Sequence, residues 1–521
     1  MRPYLASALL AVALAASPSA GAKPRKAPPH AAAPAPAPNA PRLIVAISVD
    51  QFSADLFAQY RRFYTAGLAR LQDGAMFPSG FQSHAATETC PGHSTLLTGA
   101  RPARTGIIAN NWFELDGPRG AKPVYCAEDE RDPKSSPKDP VVSAWHLRVP
   151  TLGDRIKAAW PASRNVAVSA KDRAVMMMGG RDIDAAYWWK AGAFVTLAGR
   201  KLAPAVEAAN ASAAGAIGAG APAYAAPAWC AARDQAVAVG KGDVGTGHFA
   251  MEPGSEAAFR ASPRMDAAVA DLAVALVDAM KLGLGKVPDV LSVSFSATDY
   301  VGHGYGTEGV EMCIQMAELD RSIGRLLDAL DAKGIDYAVV LSADHGGFDL
   351  PERLDRQALP AAARVSTDFA PAALAEVVKA RTGIVASDDL VYSDGANGDY
   401  YVSHALSAED RARAIAALAD ILRANPQVAA VFAADELAAA PMPAGSPQDW
   451  SLRDRARASY DRERSGDLVV LLKRAIVPIP DGNRGYVATH GSPWDYDRRV
   501  PILGWGKGLR GLRQAQAERD L

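Results

Sequence analysis

The sequence lacks an excess of charge of either sign. Its 521 residues include 56 Lys and Arg against 57 Asp and Glu, a formal net charge of -1, and the basic residues form no block. Binding to nucleic acid or to an anionic membrane depends on clustered basic side chains, so neither is expected as a partner. The chain is longer than one simple core usually supports, and we therefore expect a large α/β domain with insertions.

Long hydrophobic runs are also missing, apart from one near the N-terminus. That run consists of small apolar residues and leads to Ala20-Gly21-Ala22, the small-x-small pattern of a signal peptidase site. We predict a signal peptide over residues 1–22, an Ala/Pro-rich linker over 23–41 and a folded catalytic domain over 42–521, secreted to the periplasm. Elsewhere no run approaches about 18 apolar residues, so no membrane association is expected.

Cysteine is scarce, and none of the cysteine pairs has the C-x-x-C spacing of a zinc ribbon or a redox motif. A structural role is therefore expected for all of them. In an exported chain they can form up to two disulfides, with three possible connectivities. The cysteines are Cys90, Cys126, Cys230 and Cys313.

The sequence does contain three apolar stretches that each run into an aspartate. LIVAISVD ends at Asp50, VLSVSFSATD ends at Asp299, and AVVLSADH ends at Asp344 and His345. Each stretch is typical of a short buried strand in a parallel sheet, whose carboxyl end is the edge where α/β proteins keep their sites. A helical pattern over residues 308–333 makes the last two strands a βαβ crossover, which brings their aspartates to one edge.

Thr89 and a pair of cations are candidates for binding an anion. Pro91 predicts the first turn of a helix, so Thr89 lies at a helix N-terminus, where free N–H groups favour a phosphoryl group. A capping role is the more ordinary one for a threonine placed there. Lys171 and Arg173 follow a predicted strand over 165–170 and can reach one anion if the chain forms a loop there, although a solvated turn is the more ordinary interpretation.

Several carboxylate and imidazole side chains at or near the ends of the apolar stretches, together with His490 farther along the chain, are candidate metal ligands. Mixed ligands of this kind suit zinc, whereas oxygen alone would indicate magnesium or calcium. Two metal ions about 3.5 to 4 Å apart form a clamp for phosphoryl transfer, in which Thr89 would be the nucleophile. We predict two zinc ions per chain, one held by Asp299, His303 and His490, the other by Asp50, Asp344, His345 and Thr89.

The remaining histidines are expected to have supporting or structural roles. His84 and His93, in the stretch around Thr89, are expected to pack near the site or to support its ligands. No motif surrounds the others, which are expected to be structural or exposed: His30, His146, His248 and His404.

Seven stretches carry a family resemblance and occur in the family's order along the chain. They are DQF at 50–52, TETCPGHSTLLTG at 87–99, GIIANNW at 106–112, KDR at 171–173, SATDYVGH at 296–303, SADHGG at 342–347 and THGSPWDY at 489–496. Together they resemble the alkaline phosphatase superfamily, in its threonine-nucleophile, Sphingomonas-type periplasmic branch. The adjacent Cys90 and Pro91 do not match the C-x-P-x-R signature of a sulfatase.

The resemblance implies a fold and a set of phosphate contacts. The fold would be an α/β domain with a mixed, mostly parallel sheet sandwiched by helices, with inserted cap or lid segments that we place near 195–262 and 350–480. The phosphate contacts would come from Lys171, Arg173 and Asn110, with Asn111 as the alternative to Asn110. The third, magnesium site and the arginine of the serine alkaline phosphatases are not expected.

The expected function is that of a secreted alkaline phosphatase, a metal-dependent phosphomonoesterase. It would act on small phosphorylated substrates through a phosphothreonine intermediate, with scope for side activity on phosphodiesters, and a monomer is favoured. The alternative is a phosphodiesterase or nucleotide pyrophosphatase of the same superfamily, with a nucleobase-sized slot in place of the cationic pair. An inactive metal-containing scaffold protein is disfavoured, because the nucleophile and every expected ligand are present.

Overall fold

The structure is a computed structural model that describes residues 37, 40–117, 119–120, 122–359, 361–386, 389–483 and 485–513. The predicted signal peptide, most of the predicted linker and His30 lie outside the described residues. None of the described helices is long and apolar enough to cross a membrane.

The strands differ in burial, and the central ones have most of their side chains buried on both faces of the sheet. In chain order they are β1 (Leu43–Val49), β2 (Ala75–Phe81), β3 (Asn111–Phe113), β4 (Pro123–Tyr125), β5 (Asn165–Ser169), β6 (Ala185–Lys190), β7 (Ala193–Val195), β8 (Val237–Val239), β9 (Gly242–Val244), β10 (Asp289–Phe295), β11 (Tyr337–Ser342), β12 (Ala363–Arg364), β13 (Val391–Tyr392), β14 (Gly398–Val402), β15 (Val428–Ala433), β16 (Leu468–Leu472), β17 (Ile476–Val477) and β18 (Arg499–Trp505).

The helices alternate with these strands along the chain. They are α1 (Ala54–Tyr60), α2 (Gly67–Gln72), α3 (Thr89–Thr98), α4 (Pro102–Thr105), α5 (Leu152–Ala159), α6 (Asp172–Gly179), α7 (Pro204–Ala219), α8 (Glu256–Arg260), α9 (Pro263–Ala279), α10 (Ala297–Tyr305), α11 (Val310–Ala332), α12 (Pro351–Arg356), α13 (Pro371–Thr382), α14 (Ala408–Ala424), α15 (Ala434–Ala439), α16 (Leu452–Ser459) and α17 (Asp495–Arg498).

The main sheet has eight strands in the order β2-β18-β11-β1-β10-β5-β6-β7. The five strands from β11 to β6 run parallel, whereas β18 is antiparallel to β11 and β7 is antiparallel to β6. The predicted mixed, mostly parallel sheet is therefore confirmed. Parallel strands joined by helices bring their carboxyl ends to one edge, which is where a site is expected.

Helices cover both faces of this sheet, as predicted. Successive side chains of a strand point to opposite faces, and in β1 Val45 and Ile47 join the core shared with α9 and α11. Ala46, between them, packs instead with Leu97 of α3 and Met178 of α6. The near-continuous apolar sequence of the central strands follows from this double burial.

The structure adds three details to this core. The strands β10 and β11 form the predicted crossover through α11, and β1 lies between them. After Asp50 the chain forms α1, a short 3₁₀ turn and α2, and it leaves helical geometry between Phe63 and α2. Directly after Asp467, β16 pairs with β14 and β15 in a second sheet, and the chain joins the main sheet again only at β18.

The two regions interpreted as insertions have different structures. In the first, over 195–262, Val206 of α7 and Cys230 belong to the core of the main sheet. The second, over 350–480, contains an antiparallel sheet of β13, β14, β16 and β15, which shares a core of its own with α13 and α14. The strands β13 and β14 form an antiparallel hairpin there.

The cysteines form two disulfides, Cys90–Cys126 and Cys230–Cys313. The first joins the start of α3 to the residue after β4. The second joins the 195–262 region to α11. Both bonds link segments that are distant in the sequence, which fits the structural role predicted for them.

Candidate two-metal active site

The three aspartates that the sequence predicts for the site lie at or just beyond the carboxyl ends of parallel strands. Asp50 follows β1 directly, and Asp344 follows β11 after one residue. Asp299 was expected at the end of a strand, but it lies in the first turn of α10. The Asp266 carboxylate accepts the Ala297 N–H at 3.0 Å and so stabilises the start of this helix immediately after β10.

The structure brings together Asp299, His303 and His490, the residues predicted for one zinc ion. One ligand atom from each lies within 4.8 Å of the others. Asp299 and His303 are four residues apart in α10, so their side chains share a helix face. His303 Nε2 lies 3.2 Å and His490 Nε2 lies 3.3 Å from Asp299 Oδ1.

A second group contains Asp50, Asp344 and His345, three of the residues predicted for the other zinc ion. All three are fully buried. His345 Nε2 lies 3.4 Å from Asp50 Oδ1 and 3.3 Å from Asp344 Oδ2. The rings of His345 and His490 stack with their centroids 3.6 Å apart, so the two ligand groups adjoin.

Backbone carbonyl groups orient the three imidazoles. A carbonyl oxygen only accepts a hydrogen bond, so a nitrogen beside it must carry the proton. In each ring this is Nδ1, and Nε2 is left with a lone pair directed at the carboxylates, as is usual for a metal-binding histidine. The pairs, at 2.9, 2.8 and 2.8 Å, are His303 with Ala488, His345 with Gly346 and His490 with Thr87.

The arrangement of lone pairs fits a divalent cation in each group. Burial lowers the pKa of His345 to about 3, so its ring is neutral at neutral pH. His345 Nε2 and Asp50 Oδ1 are both buried without a hydrogen-bond partner. Facing lone pairs repel each other, whereas a cation between them would satisfy both. The mixed carboxylate and imidazole donors suit zinc.

Lys171 lies between the two ligand groups. Its ammonium nitrogen is 2.6 Å from Asp50 Oδ2 and 2.5 Å from Asp299 Oδ2, and it donates to Thr89 Oγ1 at 3.4 Å. Burial opposes a charge on this side chain, but Asp299 and Asp50 raise the pKa of Lys171 above its ordinary value. A permanent cation therefore lies beside the predicted nucleophile.

Thr89 is the first residue of α3, as predicted, and is buried. The helix start is tied to the ligand group of Asp50 through His93. This buried histidine has its Nδ1 2.9 Å from the Thr89 carbonyl oxygen and 3.0 Å from Asp344 Oδ2, while its Nε2 lies 2.9 Å from Ser294 Oγ. His93 thus packs beside the site, whereas His84 is buried away from these contacts.

Asn110 and Asn111 differ in what they contact. Asn110 Oδ1 accepts the Cys90 N–H at 2.9 Å, next to Thr89, and among the described residues its Nδ2 has no hydrogen-bond partner. Asn111 Nδ2 instead donates to Asp394 Oδ2 at 3.0 Å. The geometry therefore favours Asn110 over Asn111 as the amide beside the nucleophile.

Arg173 lies at the start of α6 and lines the same cavity as Asn110. The strand β5 leads into this helix through Ala170 and Lys171, so the loop that would let the cation pair reach one anion is not formed. Arg173 Nε is buried without a hydrogen-bond partner. Its neighbour Asp172 accepts from the Tyr125 hydroxyl at 2.6 Å, which links α6 to β4.

The Cys90–Cys126 disulfide connects the start of α3, which carries Thr89, to the end of β4, which contacts Asn110. Cys126 follows Tyr125, and its N–H donates to the Asn110 carbonyl oxygen at 2.9 Å.

Replacing Cys90 and Cys126 with alanine is expected to lower kcat/KM for a monoester by about tenfold, since small displacements of contacting groups have effects of this size or larger. The matched variant, Cys230→Ala with Cys313→Ala, is expected to lose about 2 to 4 kcal/mol of stability with unchanged kcat/KM. Steady-state kinetics and denaturant unfolding test both; an unchanged kcat/KM in the first variant would contradict the linkage.

A cavity of about 440 Å³ opens beside the metal-ligand groups. Asn110, Arg173, His303 and His490 line its inner end. Phe113, Tyr401 and Tyr486 contribute aromatic side chains to the rest of its wall. The space is large enough for the alcohol part of a phosphate ester.

Gln51 was not predicted as a site residue although it contacts both groups. Its backbone N–H donates to Asp344 Oδ1 and its side-chain Nε2 donates to Asp299 Oδ1, each at 3.2 Å. It adopts a φ of 65°, which is rare for a residue other than glycine. Its place directly after Asp50 was visible, but no sequence pattern indicates this backbone conformation.

The fold and these residues define a class of enzyme, in which an α/β sheet edge holds two metal-ligand groups beside a threonine and two cations. The chain belongs to the type I phosphodiesterase / nucleotide pyrophosphatase family, which matches residues 44–493. The predicted resemblance to the alkaline phosphatase superfamily is confirmed, and so is the prediction of an enzyme of the alkaline phosphatase type.

Two relatives and one solved structure are particularly similar. Alkaline phosphatase PhoK of Sphingomonas sp is 50% identical over 478 residues, which cover 91% of this chain and 85% of PhoK. Alkaline phosphatase PhoD of Zymomonas mobilis is 45% identical over 476 residues, or 91% and 82% of the two chains. The crystal structure of alkaline phosphatase PafA shares the fold, with a TM-score of 0.78 and 23% identity over 91% of this chain and 92% of that chain.

Proposed function

We propose that the protein is a secreted phosphomonoesterase that cleaves small phosphate monoesters through a phosphothreonine at Thr89. One observation carries the proposal: Lys171 lies within reach of the Thr89 hydroxyl and also bridges the carboxylates of the two ligand groups. The names of PhoK and PhoD support phosphatase activity. The two disulfides support an oxidising compartment such as the periplasm.

The proposed metal sites are those of the two ligand groups. Asp299, His303 and His490 would hold one zinc ion, and Asp50, Asp344, His345 and the Thr89 oxygen would hold the other. When bound, the two ions would supply Lewis-acid activation of the attacking oxygen and stabilisation of the leaving oxygen.

The residues of the chain would carry the substrate through two displacements. Thr89 Oγ forms a bond to phosphorus as the bond between phosphorus and the ester oxygen breaks and the alcohol departs. Water then attacks the phosphothreonine, which releases phosphate and restores the hydroxyl. Asn110 Nδ2, Lys171 and Arg173 would bind the phosphoryl oxygens and stabilise their charge in the transition state.

The cation pair favours monoesters over diesters. A monoester carries one more negative charge on its phosphoryl group than a diester, and Lys171 and Arg173 would interact with that charge. The Lys171 ammonium is held between the carboxylates of Asp50 and Asp299, and Arg173 lies in the first turn of α6, so positive charge is already in place before substrate binds. Such preorganised charge in a buried site contributes strongly to catalysis.

Phosphodiester cleavage is a second candidate activity, because the structure combines the cation pair with a spacious cavity. The two features were expected to be alternatives. The aromatic side chains of Phe113, Tyr401 and Tyr486 give the cavity wall apolar surface that a second ester group could contact. We therefore propose monoesters as the main substrates and diesters as poorer ones.

Kinetics on p-nitrophenyl phosphate and bis-p-nitrophenyl phosphate, which share a leaving group, test this assignment. The wild type is expected to favour the monoester. Lys171→Ala is expected to lower kcat/KM about 10²-fold for the monoester and tenfold or less for the diester, because it removes a charge that matches the dianion.

A matched control uses Lys157, another partly buried lysine, which donates to Asp184 at 2.9 Å away from the site. Lys157→Ala should leave both kcat/KM values unchanged. Equal losses on the two substrates in Lys171→Ala would remove its role in recognising the dianion. A wild type that prefers the diester would favour the phosphodiesterase assignment instead.

A further inference from the structure

Glu88 precedes the nucleophile but does not cap the helix that begins there. It occupies the N-cap position of α3, where Ser, Thr, Asp and Asn are preferred because their short side chains reach the free N–H groups. The Glu88 side chain makes no such bond. Its Oε2 instead accepts the Asn110 N–H at 2.7 Å, in the loop before β3. The long side chain therefore connects the nucleophile segment to the loop that carries Asn110.

Asn110 is held by three hydrogen bonds that leave one group available. Its N–H donates to Glu88 Oε2, its Oδ1 accepts the Cys90 N–H at 2.9 Å, and its carbonyl oxygen accepts the Cys126 N–H at 2.9 Å. Because Oδ1 faces a donor, the side-chain amide has one orientation. Its Nδ2 has no hydrogen-bond partner among the described residues, and Asn110 lines the cavity.

The residues on either side of Glu88 also act on the site. Thr87 accepts from Nδ1 of His490 through its carbonyl oxygen, and Thr89 is the proposed nucleophile. The Cγ atom of Glu88 lies 3.8 Å from where a side chain at Gly491 would begin, so it packs beside the His490 loop. Three consecutive residues thus contact three different parts of the site.

A negative charge on Glu88 is unfavourable in this cavity, which indicates that the residue has a specific role. The carboxylate lines the cavity that would receive a phosphate dianion, and like charges repel there. The positive end of α3 compensates only part of this repulsion. An apolar side chain of similar size would fill the space, but it could not accept the Asn110 N–H.

We propose that Glu88 is a positioning residue for Asn110, holding its Nδ2 toward the phosphoryl group at Thr89. The inference rests on the proposed function, since it requires Asn110 to contact the phosphoryl group. Glu88 itself makes no contact with the reacting atoms. It acts by fixing the backbone of a loop residue whose side chain does make that contact.

A double-mutant cycle on metal-loaded enzyme tests this role. Glu88→Ala is expected to lower kcat/KM for p-nitrophenyl phosphate about tenfold, because the amide is no longer held in place. In an Asn110→Ala background the same change should lower kcat/KM less than about twofold, since there is no amide left to position. Glu88→Gln, which keeps an acceptor oxygen, should stay within about threefold of the wild type.

Asp289→Ala provides a matched structural control. This buried carboxylate, at the opposite end of β10, accepts the Arg164 and Gly283 N–H groups at 2.7 and 2.9 Å. Its loss should lower Tm but leave kcat/KM unchanged, and a purely structural role of Glu88 would give the same pattern.

The cycle separates the inference from the proposed function. If Asn110→Ala alone has no effect, the proposed phosphate contact fails. If Asn110→Ala lowers kcat/KM but Glu88→Ala lowers it equally in both backgrounds, the contact stands and the positioning role of Glu88 is overturned. A tenfold loss in Glu88→Gln would also overturn it, because the hydrogen bond is retained.

Discussion

Thr89→Ala is expected to lower kcat for p-nitrophenyl phosphate by about 10⁴-fold or more, because removing a catalytic nucleophile has effects of this size in other covalent enzymes. The variant lacks the oxygen that would bind phosphorus, so the first displacement is lost. Thr89→Ser, which keeps a hydroxyl group, should remain within roughly tenfold of the wild type. Rapid quenching with a ³²P-labelled substrate should trap phosphoprotein in the wild type and none in Thr89→Ala.

The fold of this variant should be intact. The hydroxyl of Thr89 contacts Lys171 at 3.4 Å, a weak bond whose loss has little effect on stability. Thr95, in the same helix, is a suitable control, because its hydroxyl donates to the Pro91 carbonyl oxygen at 2.8 Å and not to the site. Thr95→Ala should retain full kcat. Undiminished turnover in Thr89→Ala, with Tm and metal content unchanged, would contradict the covalent mechanism.

Much of the fold could be predicted because its elements have strong local patterns. The strands β1, β10 and β11 are apolar runs that end in polar residues, and the helical pattern over 308–333 corresponds to α11, Val310–Ala332. The order of strands could not be predicted in the same way. Whether β1 lies beside or between β10 and β11 depends on packing against α9 and α11, which no local pattern records.

Of the candidate site, the sequence indicates the donor atoms but not the contacts that orient them. Asp50, Asp344 and His345 have ligand chemistry and follow predicted strands, so their convergence follows from parallel topology. The contact of His490 Nδ1 with the Thr87 carbonyl oxygen joins residues 403 positions apart. A hydrogen bond to a backbone carbonyl does not depend on the type of residue that carries it, so the sequence does not indicate it. The same is true of the backbone N–H of Asn110, which donates to Glu88.

Removal of the metal ions is expected to abolish activity and to lower stability. Exhaustive dialysis against a chelator should reduce kcat by about 10³-fold or more, and added Zn²⁺ should restore it. Elemental analysis should find two zinc ions per wild-type chain and about one in His490→Ala. Activity that survives exhaustive chelation would contradict the two-metal site, and recovery with Mg²⁺ but not with Zn²⁺ would contradict the assignment of zinc.

The change in stability gives a readout that does not depend on turnover. Ligands that bind the folded state at 1,000 times their Kd stabilise it by about 4 kcal/mol, so Tm should rise with free zinc. Without metal, the Lys171 ammonium is the group that contacts both Asp50 and Asp299. Lys171→Ala should therefore lower Tm more in the metal-free protein, where it leaves buried carboxylates uncompensated, than in the zinc-loaded protein. Equal changes in Tm in the two states would show that the cations do not occupy the space between these carboxylates.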